Sequence, residues 1–135
     1  MRYLLDTNVL SEARKHRPES KVVAWLESCP SDDQAISVIT AMELKVGVLR
    51  KARKNPLAGA YLERWFHAVM EAFDGRVLPV DLATAWRIAP LYVPDPAPEH
   101  DAIIAGTALT HGLTVVTRND RDFTRMGVPV LNPWL

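Results

Sequence analysis

Arg2-Tyr3-Leu4-Leu5-Asp6-Thr7-Asn8 decides the fold. The apolar run ending at Leu5 is too short for a helix and reads as a buried strand. It stops at an acid, and Thr7 or Asn8 then caps a short helix running through Ser11-Glu12-Ala13. A strand, a polar turn carrying a carboxylate, and a helix form a unit that repeats along the chain. Gln34 to Val38 is strand-like, and Thr40 with Glu43 three residues later makes a capping box opening a helix from Ala41 to Arg53, stopped before Pro56. Leu113 to Thr117 is a buried strand, followed by Arg118-Asn119-Asp120-Arg121-Asp122, which reads as a solvated turn. Val128 to Leu131 is a last short strand.

The remaining segments fill in around these units. Glu19 to Ser28 forms a helix with an apolar stripe of Val22, Val23, Trp25 and Leu26. Leu57 to Phe73 is the longest helical pattern, with Leu62, Trp65, Phe66, Val69, Met70 and Phe73 at steps of three and four, broken by Asp74-Gly75. Arg76 to Val80 is a strand whose Pro79 suits a sheet edge. Leu82 to Ala89 is helical up to Pro90. Asp101 to Thr110 is an alanine-rich helix with Gly112 as its stop. Strands alternating with helices predict an α/β fold in three layers, a mostly parallel sheet of four to five strands with helices on both faces.

The chain has 135 residues, 48% of them hydrophobic, with 16 Lys+Arg against 16 Asp+Glu. That predicts a single domain over residues 1–135 with room for a core, and it excludes a disordered chain. The lone Cys29 rules out an internal disulfide and a cysteine-rich zinc site. No run reaches the roughly 18 apolar residues of a membrane span. Asp6 comes too early for a signal peptide, so a cytoplasmic location is expected. Zero net charge gives no global pull toward nucleic acid. The charges are unevenly spread, however: 6 basic side chains face 1 acidic one in residues 44–66, between two acidic segments.

In parallel sheets, functional groups gather beyond the carboxyl ends of the strands. Asp6 lies there, as do Asn119, Asp120 and Asp122, while Glu43 and Asp101 open helices that can point at the same edge. Taken singly, each acid also fits a cap or turn role. Taken together, they repel: two like charges about 4 Å apart cost about 4 kcal/mol at an effective dielectric of about 20. A cation relieves that cost, and an all-oxygen donor set favours a hard ion such as Mg²⁺ or Mn²⁺. Such a site works on phosphates. The basic side chains Lys45, Arg50, Lys51, Arg53 and Lys54 follow Glu43 and suit the flanking phosphates of a polynucleotide, with Arg118, Arg121 and Arg125 as a second set. Taken on its own, each set is better accounted for as a solvated face.

Leu4-Leu5-Asp6-Thr7-Asn8-Val9-Leu10 resembles the first motif of PIN-domain ribonucleases. Ser37-Val38-Ile39-Thr40-Ala41-Met42-Glu43-Leu44 with Gly47 is similar to the second, and Asp101-Ala102-Ile103-Ile104-Ala105-Gly106 to the third. Val116-Thr117-Arg118-Asn119-Asp120-Arg121-Asp122-Phe123, then Leu131-Asn132-Pro133-Trp134, resembles the closing motif. The order and ending are similar to the FitB/VapC branch, the toxins of bacterial type II toxin–antitoxin pairs. The resemblance implies a metal-dependent endoribonuclease. Asp6, Glu43 and Asp101 fall on the acidic triad that would ligate Mg²⁺ or Mn²⁺, directly or through water. The fourth family position falls on Asn119, with Asp120 and Asp122 as alternatives. Thr7, Asn8 and Thr117 are implied to orient the carboxylates, while Lys45, Arg50, Arg53, Lys54 and Arg118 are candidates for RNA contact from the charge pattern alone. The resemblance further implies a cognate antitoxin, a homodimer, and promoter DNA reached only through the antitoxin. Pro94-Asp95-Pro96-Ala97-Pro98 has no counterpart in these motifs.

Two other readings compete. A catalytically inactive module would use the acidic cup for a basic partner segment. A receiver-like phosphoacceptor also groups carboxylates at strand ends, but needs an Asp after a middle strand and a Lys after a later one, a set this chain does not supply.

Overall fold

The computed structural model describes Met1–Leu135. Its five strands are β1 (Tyr3–Leu5), β2 (Gln34–Ser37), β3 (Val77–Leu78), β4 (Thr114–Val116) and β5 (Val130–Leu131). They form one sheet in the order β3-β2-β1-β4-β5, with every pairing parallel. β1 is therefore central, and β3, with its nearby proline, is an edge strand as expected.

Side chains alternate across the sheet with a period of two. Leu4, Ala35, Leu78 and Val115 face a core shared with Ile104, Ala105, Ala108 and Phe123. Leu5, Ile36 and Val116 face the opposite core, with Val9, Val22, Leu44 and Phe73. The helices divide accordingly. α6 (Glu99–His111) and α7 (Asp120–Arg125) cover the first face. α1 (Thr7–Ala13), α2 (Ser20–Ser28), α3 (Val38–Lys54) and α4 (Pro56–Ala72) cover the second. α5 (Leu82–Ile88), continued by a 3-10 turn over Ala89–Tyr92, packs on α6. No helix is long and apolar enough to cross a membrane.

Two glycines answer local demands. Gly112 ends α6 in the left-handed region at φ 66°, as its place in the sequence predicts. At Gly59, α4 passes so close to α3 that a Cβ would lie 2.4 Å from the Ala52 Cα.

Three local expectations are corrected. Neither Thr7 nor Asn8 caps α1: Asp6 does, accepting a 2.7 Å hydrogen bond from the Thr7 N–H. α3 begins three residues early, at Val38, capped by Ser37 Oγ accepting from the Ile39 N–H. Thr40 is thus inside the helix, its buried Oγ1 without a hydrogen-bond partner, and no capping box with Glu43 forms. Finally, residues 120–125 are the helix α7 rather than a turn, anchored by the fully buried Phe123.

Candidate active site

The strand register builds the site. Leu5 pairs with Val116, and the Asp6 N–H continues the ladder to the Val116 carbonyl at 2.9 Å. Asp6 and Thr117 therefore leave the carboxyl edge side by side. Thr117 Oγ1 donates to Asp6 Oδ2 at 2.8 Å, and Asn8 Nδ2 reaches the same oxygen at 3.3 Å. The Asn119 N–H in turn donates to Thr117 Oγ1 at 3.0 Å, and the Arg118 N–H to Asn8 Oδ1 at 3.3 Å. Asp6 is only 5% exposed. Burial raises its pKa above the ordinary 3.8, opposed by the Thr117 and Thr7 hydrogen bonds and assisted by the charge of Glu43.

Because α3 starts at Val38, Glu43 sits in its second turn. N-terminal charge placement therefore does not account for it. Thr7 Oγ1 donates to Glu43 Oε1 at 2.8 Å, joining the first and second motifs. His100 Nδ1 lies 3.3 Å from Glu43 Oε2. Asp101 occupies the first turn of α6, as expected. Its carboxyl is pushed up to about 6, first by burial, then by the charges of Asp6, Asp122 and Glu43, with His100 pulling the other way. These acids lie in one field although they come from four elements.

The three candidates for the fourth position have different surroundings. Asn119 is exposed at the start of α7, and its side chain makes no capping bond. Asp120 accepts from Asn132 Nδ2 at 3.3 Å. Asp122 is the residue of this group whose charge reaches Asp101. Sequence reasoning passed over His100, although its place directly before Asp101 was a usable signal.

The cationic residues divide. Lys45 is tied to Glu63 at 3.2 Å and stacks over Phe66, so it braces α3 against α4. Arg50, Arg53 and Lys54 are exposed. They lie toward the far end of α3, about 10–16 Å along the axis from Glu43 at about 1.5 Å per residue. Arg118 is exposed at the site edge, its guanidinium over Trp134 at 5.4 Å.

The donor set suits a hard divalent cation. It is all carboxylate oxygen, and mutual repulsion lifts Asp101, a cost that a cation would remove. No three His, Cys, Asp or Glu side chains are drawn tightly enough to ligate one ion directly.

Residues 3–129 match the PIN domain. The chain belongs to the PIN-domain family. This PIN domain is 40% identical to Toxin FitB of Neisseria gonorrhoeae, with 97% of each chain covered. It is 34% identical to VapC ribonuclease Y4jK of Sinorhizobium fredii, covering 97% of this chain and 96% of that one. Among solved structures, FitAcB from Neisseria gonorrhoeae superposes with a TM-score of 0.84 at 38% identity over 98% of both chains. A toxin-antitoxin complex from Klebsiella pneumoniae gives 0.74 at 32% identity over 97% of both. This PIN domain is thus similar over nearly its whole length to proteins named as a ribonuclease and as a toxin.

Proposed function

We propose that this PIN domain is the ribonuclease toxin of a toxin–antitoxin pair and that it hydrolyses RNA phosphodiester bonds with Mg²⁺ or Mn²⁺. The observation that carries the reading is the holding of Asp6 by Thr117 and Asn8 and of Glu43 by Thr7 at one sheet edge, with Asp101 within the field of both acids. Similarity to a toxin, to a VapC ribonuclease and to a toxin-antitoxin complex supports the biological role.

Asp6, Glu43 and Asp101 would hold the ion. Once bound, a hard divalent ion polarises a phosphoryl oxygen and acidifies a water. The protein's own part is to hold the carboxylates ready. Thr117 and Asn8 fix one oxygen of Asp6, the Thr7 N–H fixes the other, and Thr7 Oγ1 fixes Glu43. Such supporting bonds are worth about 10–100-fold in metal affinity. Arg118 and the outer α3 cations supply phosphate contacts. The expected products carry 3′-hydroxyl and 5′-phosphate ends. An antitoxin segment covering the acids, a homodimer and promoter contact through the antitoxin complete the proposal.

The test is cleavage of RNA by the purified chain with Mg²⁺, Mn²⁺ or EDTA, beside Asp6→Asn. Metal-stimulated cutting lost in D6N is expected. Cutting by D6N at the parental rate sinks the assignment, and EDTA-resistant RNA binding without turnover favours the inactive module.

A further inference from the structure

A cavity of about 370 Å³ opens beside the acids, between the proline loop and α7. Leu91, Val93, Asp95 and Pro96 line one side, and Asp122, Arg125 and Met126 the other. Its size is within the roughly 300–1,000 Å³ of small-ligand pockets. Asp6, Glu43 and Asp101 do not line it, and two features tie it to them. Asp122 belongs to its wall and acts electrostatically on Asp101, and the loop ends at Pro98, the residue that opens the helix bearing Asp101. Arg125 also borders a shallow polar depression formed with Asp120, Arg121 and Thr124. A strand with a phosphate at the acids thus has apolar walls for a neighbouring base and two arginines beyond it.

We propose that this cavity seats a single guanine of the RNA, next to the phosphodiester that is cut. The inference rests on the ribonuclease reading and adds a specificity site to it. The walls offer flat apolar surface from proline rings, Val93 and the Met126 thioether, suited to the face of an unstacked base. The polar edge decides which base. Asp122 and Arg125 are three residues apart and so neighbours on one face of α7. A carboxylate accepts from two adjacent donors, and guanine presents N1–H and the N2 amine side by side. A guanidinium donates in a fork, and guanine presents O6 and N7. Adenine and the pyrimidines match one of these groups at most. The loop that the four motifs left unassigned then acquires a role as the far wall of the base pocket.

The experiment is cleavage of a random-sequence RNA pool by the full chain with Mg²⁺, with the new ends sequenced. Guanine is expected to be enriched at one position beside the cut. Replacing it with inosine, which lacks the N2 amine, or with adenine lowers kcat/KM about tenfold or more. Arg125→Ala and Val93→Trp are both at exposed positions, Val93 being 75% exposed, so the fold tolerates them. Each erases the guanine enrichment, and each weakens binding of guanosine 5′-monophosphate measured by equilibrium dialysis in EDTA. Cleavage without base enrichment, enrichment that survives both variants, or guanosine monophosphate bound no better than adenosine monophosphate overturns the inference and leaves the ribonuclease reading standing. Failure of the parent chain to cut any RNA overturns that reading, and the base site with it.

Discussion

Asp6 has three duties at once: it ends a strand, caps a helix and faces Asp101. Its partner Thr117 makes a sharp test possible. Thr117→Val removes the hydrogen bond that most opposes the burial of Asp6 while preserving the side chain's shape. The expected result, read by titration calorimetry, is Mg²⁺ affinity about 10–100-fold weaker with the fold intact. Asp101 carries the pH dependence. Its folded pKa of about 6 lies above the ordinary 3.8, so the fold favours its protonated form. The stability this contributes is fully present below the unfolded value and is lost as pH rises through the folded one. In EDTA, Asp101→Asn is therefore expected to gain in Tm relative to the parent between about pH 4 and 7, with the difference flat above that. A constant difference across the range contradicts the shift. These acids were legible because a carboxylate after a short apolar run is a local pattern. The hydrogen bonds that hold them were not, since Thr117 meets Asp6 across 111 residues.

At the level of elements, the start of α3 separates two physical accounts. Ser37 and Thr40 both suit a cap, and Val38-Ile39-Thr40 is β-branched, which favours strand locally. The sheet decides between them: β2 pairs with β3 only as far as Ser37, where the chain leaves the ladder and Ser37 becomes the cap. Ser37→Ala is expected to cost about 1 kcal/mol by urea unfolding. Thr40→Val is expected to be neutral or stabilising, because it replaces a buried hydroxyl that has no partner. A capping box would give the opposite order. The α3–α4 crossing supplies a second case: Gly59→Ala places a methyl against backbone and is expected to cost about 1–3 kcal/mol despite the better helix propensity. α7 escaped a reading by periodicity because only Phe123 in that polar segment is buried, and one anchor leaves no pattern.

Across the whole molecule, the charge balance of 16 against 16 conceals a separation in space. Asp6, Glu43 and Asp101 share one field at the carboxyl edge, and the exposed cations Arg50, Arg53 and Lys54 lie along α3 away from it. Replacing these three with Gln is expected to weaken RNA binding and flatten the dependence of log Kd on log salt by about 2, at roughly 0.7 per phosphate contact on single strands. An unchanged slope would remove them from the RNA path. The alternation of strands and helices was enough to foresee a parallel sheet with helices on both faces. The strand order was not readable, since nothing local in Tyr3–Leu5 says that it lies between β2 and β4.

That central place of β1 has a consequence for the chain during its synthesis. Asp6 leaves the ribosome long before its partner, since the hydroxyl that grips it belongs to Thr117, 111 residues later. A nascent chain must extend past β4 before β1 acquires its second neighbour. Until then a growing polypeptide lacks the assembled acidic cup, and whatever chemistry that cup performs waits on β4.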